Sequence, residues 1–371
     1  MEFMQGARLS RGRSKPSVGL PELLDSMAAR DGWTRRDASE QILTLAYFNS
    51  AQLVEAGIHH VFIKMLNDQD DYVRDVGIDG IKCLAYEQCE AVIEAGAVKV
   101  LLGLLDDEKP WVRMLAASAL RIIAKKGGAP VIVGAGALPT IIGLLDDPDP
   151  DVRRAAPGLI DSVAEHDTPA VVRAGGVRAL CGLLEREEPC GGAFSALTTI
   201  AERDASALEG MGAVGLALPF LGFRDLRGGV ISLLTVMART EPVSLVEGGA
   251  LGPVLGLLDD GDSIVRGRAA RTLGHIAEIH GSAVIDQDAV PALVALLEDR
   301  DAPVREAALH TLMELREWDH AVLDQYSMEL AAHSHLDLLA GYRGAYDRQE
   351  SQEGQSTSGG HSLRFRGELL K

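Results

Sequence analysis

At 371 residues the chain is long enough for two or more globular domains, and its 47% hydrophobic content is aliphatic, with only 4% aromatic residues to stack on bases or line a cofactor pocket. With 54 acidic against 36 basic side chains and a formal net charge of −18, it is poorly suited to phosphate backbones, so nucleic acid is disfavoured as the main partner. The four cysteines, Cys83, Cys89, Cys181 and Cys190, form neither a CxxC pair nor a dense framework and read as reduced, buried thiols in a cytoplasmic protein.

Residues 1–19 place Arg8, Arg11, Arg13 and Lys15 among Gly, Ser and Pro, which reads as a flexible basic arm, either solvated or clipped onto an acidic surface. From Leu20 a degenerate helical unit begins, with Leu20, Leu23 and Leu24 on a first helix and residues 36–48 as a long one. The pattern is clearest over residues 93–124. There Val98, Leu101, Leu102 and Leu105 lay one apolar stripe at helical spacing. Asp106, Asp107 and Pro110 then break the chain, and Val112, Ala116, Ala119, Leu120 and Ile123 lay a longer stripe. A short helix precedes Gly96, which ends it in the left-handed conformation that glycine adopts without strain. The unit is short helix, glycine, helix, acidic turn, long helix.

Its glycine recurs as Gly57, Gly96, Gly136, Gly175, Gly212 and Gly249, with Asp288 in the next place, at steps of 39, 40, 39, 37, 37 and 39 residues. The Val-Arg that opens the long helix recurs separately as Val73-Arg74, Val112-Arg113, Val152-Arg153, Val265-Arg266 and Val304-Arg305. Two markers with one period identify a repeat array. The Asp pairs 106-107, 146-147 and 259-260, in phase with the array, are expected to cap the long helices and to meet the recurring arginines. Residues 127–145 carry no charge, but glycines, Pro130 and Pro139 interrupt them in phase with the repeat, so no membrane span is expected. The units holding Gly175 and Gly212 lose Val-Arg and carry Gly191-Gly192 and Gly228-Gly229 where the long helix should start. Either these units are divergent, or they open a groove for close approach of a ligand. Residues 317–348 read as a helical C-terminal cap, and the polar stretch 349–371 as a disordered tail.

The phrases VEAG at 54–57, IEAGAV at 93–98 and VEGGAL at 246–251, each followed by a Leu-rich helix and a long A-x-x-L helix, resemble the armadillo repeat. The run DPDPDVRRAA at 147–156 resembles the related HEAT repeat. Over residues 20–316 the resemblance implies an all-α, right-handed α-solenoid superhelix of about seven to eight three-helix armadillo-type repeats of about 39 residues. It also implies a concave groove lined by the long third helices and a role in protein binding.

Peptide-binding members of the family use an Asn on the third helix and a Trp one turn earlier. By phase the Asn column here is Thr44, Cys83, Ile122, Ser162, Thr199, Val236, His275 and Glu314, and the column four residues before it contains no Trp. That grip does not carry over. In its place the central repeats offer small polar residues, Ser162, Ser195, Thr198, Thr199, Ser232 and Thr235, with Arg154, Arg203, Arg239, Arg271 and His275 nearby as charge partners for an acidic segment. Neither P-loop, HExxH, GxSxG nor a GxGxxG after a strand is present, and the histidine pairs 59-60, 275 and 280, and 333 and 335 have no recurring acidic or cysteine partner. The expectation is therefore a non-enzymatic interaction scaffold or adaptor without cofactor or metal, its partner a protein or peptide segment and its oligomeric state open. The alternative is a HEAT-type, lyase-like enzyme that holds a small ligand in the groove.

Overall fold

The computed structural model describes residues 19–186, 188, 190–319, 321 and 326. The basic arm before Gly19, nearly all of the expected C-terminal cap, the polar tail and His333 with His335 lie outside the described residues.

Among the described residues every regular element is helical. In chain order the α-helices are α1 (Leu20–Ser26), α2 (Gly32–Glu55), α3 (Ile58–Met65), α4 (Asp71–Glu87), α5 (Cys89–Glu94), α6 (Ala97–Gly103), α7 (Pro110–Ile123), α8 (Ala129–Gly134), α9 (Leu138–Gly143) and α10 (Pro150–Arg173). They continue as α11 (Gly176–Glu185), α12 (Gly191–Arg203), α13 (Ala213–Ala217), α14 (Arg227–Thr240), α15 (Pro242–Glu247), α16 (Leu251–Gly256), α17 (Ser263–Ile285), α18 (Ala289–Leu296) and α19 (Ala302–Trp318). The chain forms two compact units, one ending at Ala250 and one beginning at Leu251. In the first, the long helices α2, α4, α7, α10, α12 and α14 pack each on the next. In the second, α17 packs on α19, with α16 and α18 against them. Each is built from neighbouring repeats, so the fold is an all-α solenoid, whose stability is a sum of neighbour interfaces.

The apolar stripes form these interfaces. Val112, Ala116, Ala119, Leu120 and Ile123 are fully buried, as are Leu101 and Leu105 of the preceding segment, or nearly so. The array reads helix, turn, helix because the glycines do what their spacing predicts. Gly57, Gly96, Gly136, Gly175, Gly212 and Gly249 have φ of 80°, 83°, 70°, 85°, 65° and 74°. Asp288, which takes the glycine's place, has φ 56° and is the sole described non-glycine residue in the left-handed region. An L side chain there is strained, though less for Asp than for most. Asp288→Gly should therefore stabilise the unit that begins at Leu251, by up to about 1 kcal/mol, read as a rise in its urea midpoint; a fall would contradict the strain.

Two long helices continue across a kink into the next repeat's first helix. The breaks fall at Asp167 in α10 (φ −141°) and His280 in α17 (φ −131°). Asp167 accepts the Ala170 N–H at 2.9 Å, starting the following turn. The uncharged stretch 127–145 is broken at Gly127 (φ 103°) and Gly136 into the short helices α8 and α9. No single helix among the described residues is long and apolar enough to cross a membrane.

The central glycines have a packing role. A Cβ on Gly192 would sit 3.3 Å from Pro157 Cβ of α10, and one on Gly229 would sit 3.2 Å from Phe194 Cβ of α12. Each lets the start of one long helix lie close against its predecessor. Their partners Gly191 and Gly228 meet no such neighbour.

Candidate interaction surface

A chain of arginine contacts fixes how successive long helices stand. Each arginine two to four residues into its helix reaches back to the acidic turn before it and sideways to the next turn. Arg113 of α7 donates to the Asp107 carbonyl at 2.8 Å and, through two nitrogens at 2.7 Å, to the Asp147 carboxylate of the next repeat. Arg266 repeats this in the second unit, with the Asp260 carbonyl at 2.8 Å and the Asp299 carboxylate at 2.7 and 2.9 Å. Arg35 pairs with Asp68 at 3.0 Å and Arg153 with Glu188 at 2.8 Å. The planar guanidinium fork matches a carboxylate in this way, and a lysine could not replace it.

These contacts move the acids they touch. Burial would raise the Asp147 carboxyl, but the Arg113 hydrogen bond, the Asp149 N–H and the charges of Arg113 and Arg153 hold it below the usual carboxylate range. The Arg266 hydrogen bond does the same for Asp299.

The expected capping needs one correction. The second acid of each pair shapes the turn rather than the helix: Asp107, Asp147 and Asp260 accept the N–H two residues on, from Lys109, Asp149 and Asp262. The N-cap itself falls to Asp70, Asp149 and Asp262, whose carboxylates accept from Tyr72, Asp151 and Ile264.

The long helices carry a stripe of partly exposed residues at helical spacing, and the expected site residues distribute along it unevenly. On α10, Ser162 is buried and donates to the Gly158 carbonyl at 3.1 Å, so it presents nothing to a partner. Arg154 is exposed and paired with Asp151. On α12, Ser195 and Thr199 both donate to Asp161 of α10, at 2.7 and 2.6 Å, and Thr198 donates to the Phe194 carbonyl at 2.7 Å. On α14, Ser232 and Thr235 donate to the helix carbonyls of Gly228 and Ile231. Hydroxyls that bond the carbonyl one turn back keep only acceptor capacity for a ligand. Arg203 and Arg239, at the ends of α12 and α14, are exposed and have no hydrogen-bond or ion-pair partner among the described residues. In the second unit Arg271 is exposed on α17, while His275 Nδ1 lies 3.0 Å from Glu278.

All four cysteines are free thiols. Burial pushes Cys83 and Cys181 up to about 11 and also raises Cys89 and Cys190, which leaves little thiolate near neutral pH. Among the described residues no three His, Cys, Asp or Glu side chains are grouped to hold a metal ion.

A family model described as HEAT repeats matches residues 60–156 and 251–325. The chain is also similar to a crystal structure of an engineered protein, a target of the Northeast Structural Genomics Consortium, with a TM-score of 0.73 and 26% identity over 82% of this chain and 80% of that one. The two matches support a HEAT/ARM-like repeat family for the chain. No curated protein gives a match. The HEAT match covers the DPDPDVRRAA run and stops at Ala156, just before the repeats that lose Val-Arg, and resumes at Leu251. One arginine arm survives in that gap: Arg227 Nε donates to the Leu221 carbonyl at 2.8 Å, the six-residue reach that Arg113 makes to Asp107.

Three features of this repeat protein's surface escaped the sequence reading. Asp161, which ties α12 to α10, is one of many acids and has no counterpart at the repeat period. The aromatic column Trp33, Tyr72 and Trp111 does keep the 39-residue step, but it lies three turns before the column where the family resemblance directed attention. Trp33 is 80% exposed and Trp111 44%. Arg36 stacks between Trp33 and Tyr72, 5.4 and 5.7 Å from the ring centroids. Arg121 of α7, partly buried next to Ile122 of the expected Asn column, is the third.

Proposed function

We propose that the chain is a non-enzymatic interaction scaffold that holds an acidic segment of a partner protein along the stripe of its central long helices. Ser195, Thr198, Thr199, Ser232 and Thr235 form the floor, and Arg154, Arg203 and Arg239 supply charge. On the second unit, Arg271 and His275 form a separate candidate contact of their own. The observation that carries the reading is the state of Arg203 and Arg239. In a chain of net charge −18 they stand exposed and, among the described residues, unpaired at successive long-helix ends, while the arginines near the starts of α2, α7 and α10 are bound to carboxylates. Cations left free on an acidic body favour an anionic partner. The floor residues add short side chains that let an extended backbone approach and accept its N–H groups.

The test is capture from a lysate of the native source, with wild-type chain and an Arg203→Glu, Arg239→Glu variant as baits and quantitative mass spectrometry as readout. The reading expects at least one protein to be depleted tenfold or more by the variant. The same proteins at the same yield on both baits would remove the central stripe as the site.

A further inference from the structure

We infer that Arg121, Tyr86, Lys125 and Lys126 form an oxyanion subsite, which receives a carboxylate or phosphoryl group of a bound segment; the inference rests on the scaffold reading above and names one of its specific contacts. The residues come from three successive long helices and the turn after one of them. Arg121 lies on α7, Tyr86 on α4, and Gly158 of α10 completes the floor.

Arg121 is partly buried and has no hydrogen bond or ion pair among the described residues. Its side chain extends over α10, where a Cβ on Gly158 would lie 3.0 Å from Arg121 Cδ. Glycine at that position is what lets the guanidinium cross to the neighbouring helix. Tyr86 lies within reach of its charge: the phenol is raised by burial and pulled back by Arg121. Lys126 Nζ sits 5.6 Å from the centroid of the Tyr86 ring, so both cations act on this one side chain. Lys125 and Lys126 are exposed and follow α7 where the backbone leaves helical geometry, at Lys126 (φ −98°) and Gly127 (φ 103°).

Two carboxylates close in sequence to this cluster, Glu87 next to Tyr86 and Asp161 one turn after Gly158, are engaged elsewhere. Glu87 accepts from Ser50 at 2.5 Å, and Asp161 accepts from Ser195 and Thr199. A partly desolvated guanidinium without an anion is costly to keep, and a ligand oxyanion restores its hydrogen bonds in the bidentate geometry that Arg113 and Arg266 show with their own carboxylates. Two lysines beside it add a local positive field on an acidic chain. The lysines are also scarce, eight among 36 basic residues, and three of the eight, Lys82, Lys125 and Lys126, lie on α4 or just after α7.

The test uses two fluorescein-labelled decapeptides of Ser and Glu, one of them with its serines phosphorylated, and fluorescence anisotropy at low salt with the full chain. Wild type should bind at least one of them, and Arg121→Gln and Lys126→Gln should each weaken binding tenfold or more. Arg30→Gln, which removes the same charge from the loop before α2, should change it less than twofold. Preference for the phosphopeptide assigns the subsite to phosphoryl groups, and equal or better binding of the other assigns it to carboxylates. Circular dichroism and the thermal midpoint of each variant should match wild type, since Arg121 and Lys126 hold no ion pair among the described residues. If either variant is unfolded, Arg121→Lys, which keeps charge and loses the fork, replaces it and should weaken binding at least threefold. No binding of either peptide by wild type, or the same loss in Arg30→Gln as in Arg121→Gln, would overturn the inference. Such a failure would leave the scaffold reading intact if Arg203→Glu, Arg239→Glu still lost its captured partner. Conversely, Arg121-dependent peptide binding with unchanged capture would sustain the subsite and discard the central stripe.

Discussion

Asp147→Ala should cost about 3 kcal/mol, among the larger effects of any single change in the first unit. Its carboxylate takes two arginine nitrogens and the Asp149 N–H, and both members of the pair are largely enclosed, with 13% and 7% of the Arg113 and Asp147 side chains exposed. Removing the acid strands the guanidinium between two turns and frees a backbone donor at once. Asp107→Ala should cost nearer 1 kcal/mol, because Arg74 stays 3.9 Å from that acid while also holding Asp71 at 2.7 Å. Urea midpoints of the two variants give the comparison, and equal losses would mean that the bidentate geometry adds nothing.

The same pair sets a pH dependence. Asp147 and Asp299 are held below their ordinary range in the folded chain, so their contribution is fully present above the unfolded value near 4 and is lost as pH falls through the lower folded values. Stability should therefore decline below about pH 4, and Asp147→Ala should flatten part of that decline.

Gly80→Ala should lower stability by about 2 kcal/mol, although alanine is the better helix former by about 1 kcal/mol. A Cβ at Gly80 would lie 2.3 Å from two ring carbons of Phe62, which is fully enclosed and has no room to turn. The matched control is Gly182→Ala in the interior of α11, where nothing lies within 4 Å. That variant should gain about 0.5–1 kcal/mol. Thermal or urea midpoints of the two variants should move in opposite directions. Movement in the same direction would show that helix propensity, rather than the fit of α4 onto α3, governs the position.

The architecture was readable because its markers are single residues under hard constraints. A left-handed turn admits glycine or, at Asp288, little else, and an arginine that must reach two turns at once leaves a Val-Arg signature. The ladder's partners were half visible: the acids and arginines shared a period, but the three-residue interval from Asp147 to its helix start hid that Asp149, not Asp147, is the cap. The surface was harder. Periodicity placed Ser162 on the exposed stripe, yet α10 and its neighbours close over it, because a column position does not tell how closely adjacent helices pack. Composition showed hydroxyls in the centre but not that most of them bond their own helix or Asp161. Gly192 and Gly229 looked like helix breakers and are contact points, which becomes apparent only when Pro157 and Phe194 are set opposite them.

The most direct test of the scaffold reading is hydrogen exchange of the chain alone and saturated with the protein that it captures. Slowed exchange should concentrate in α10, α12 and α14, toward the ends that carry Arg203 and Arg239, and should vanish with Arg203→Glu, Arg239→Glu. Protection confined to the short helices α11, α13 and α15 would place the partner off the long-helix stripe and contradict the account.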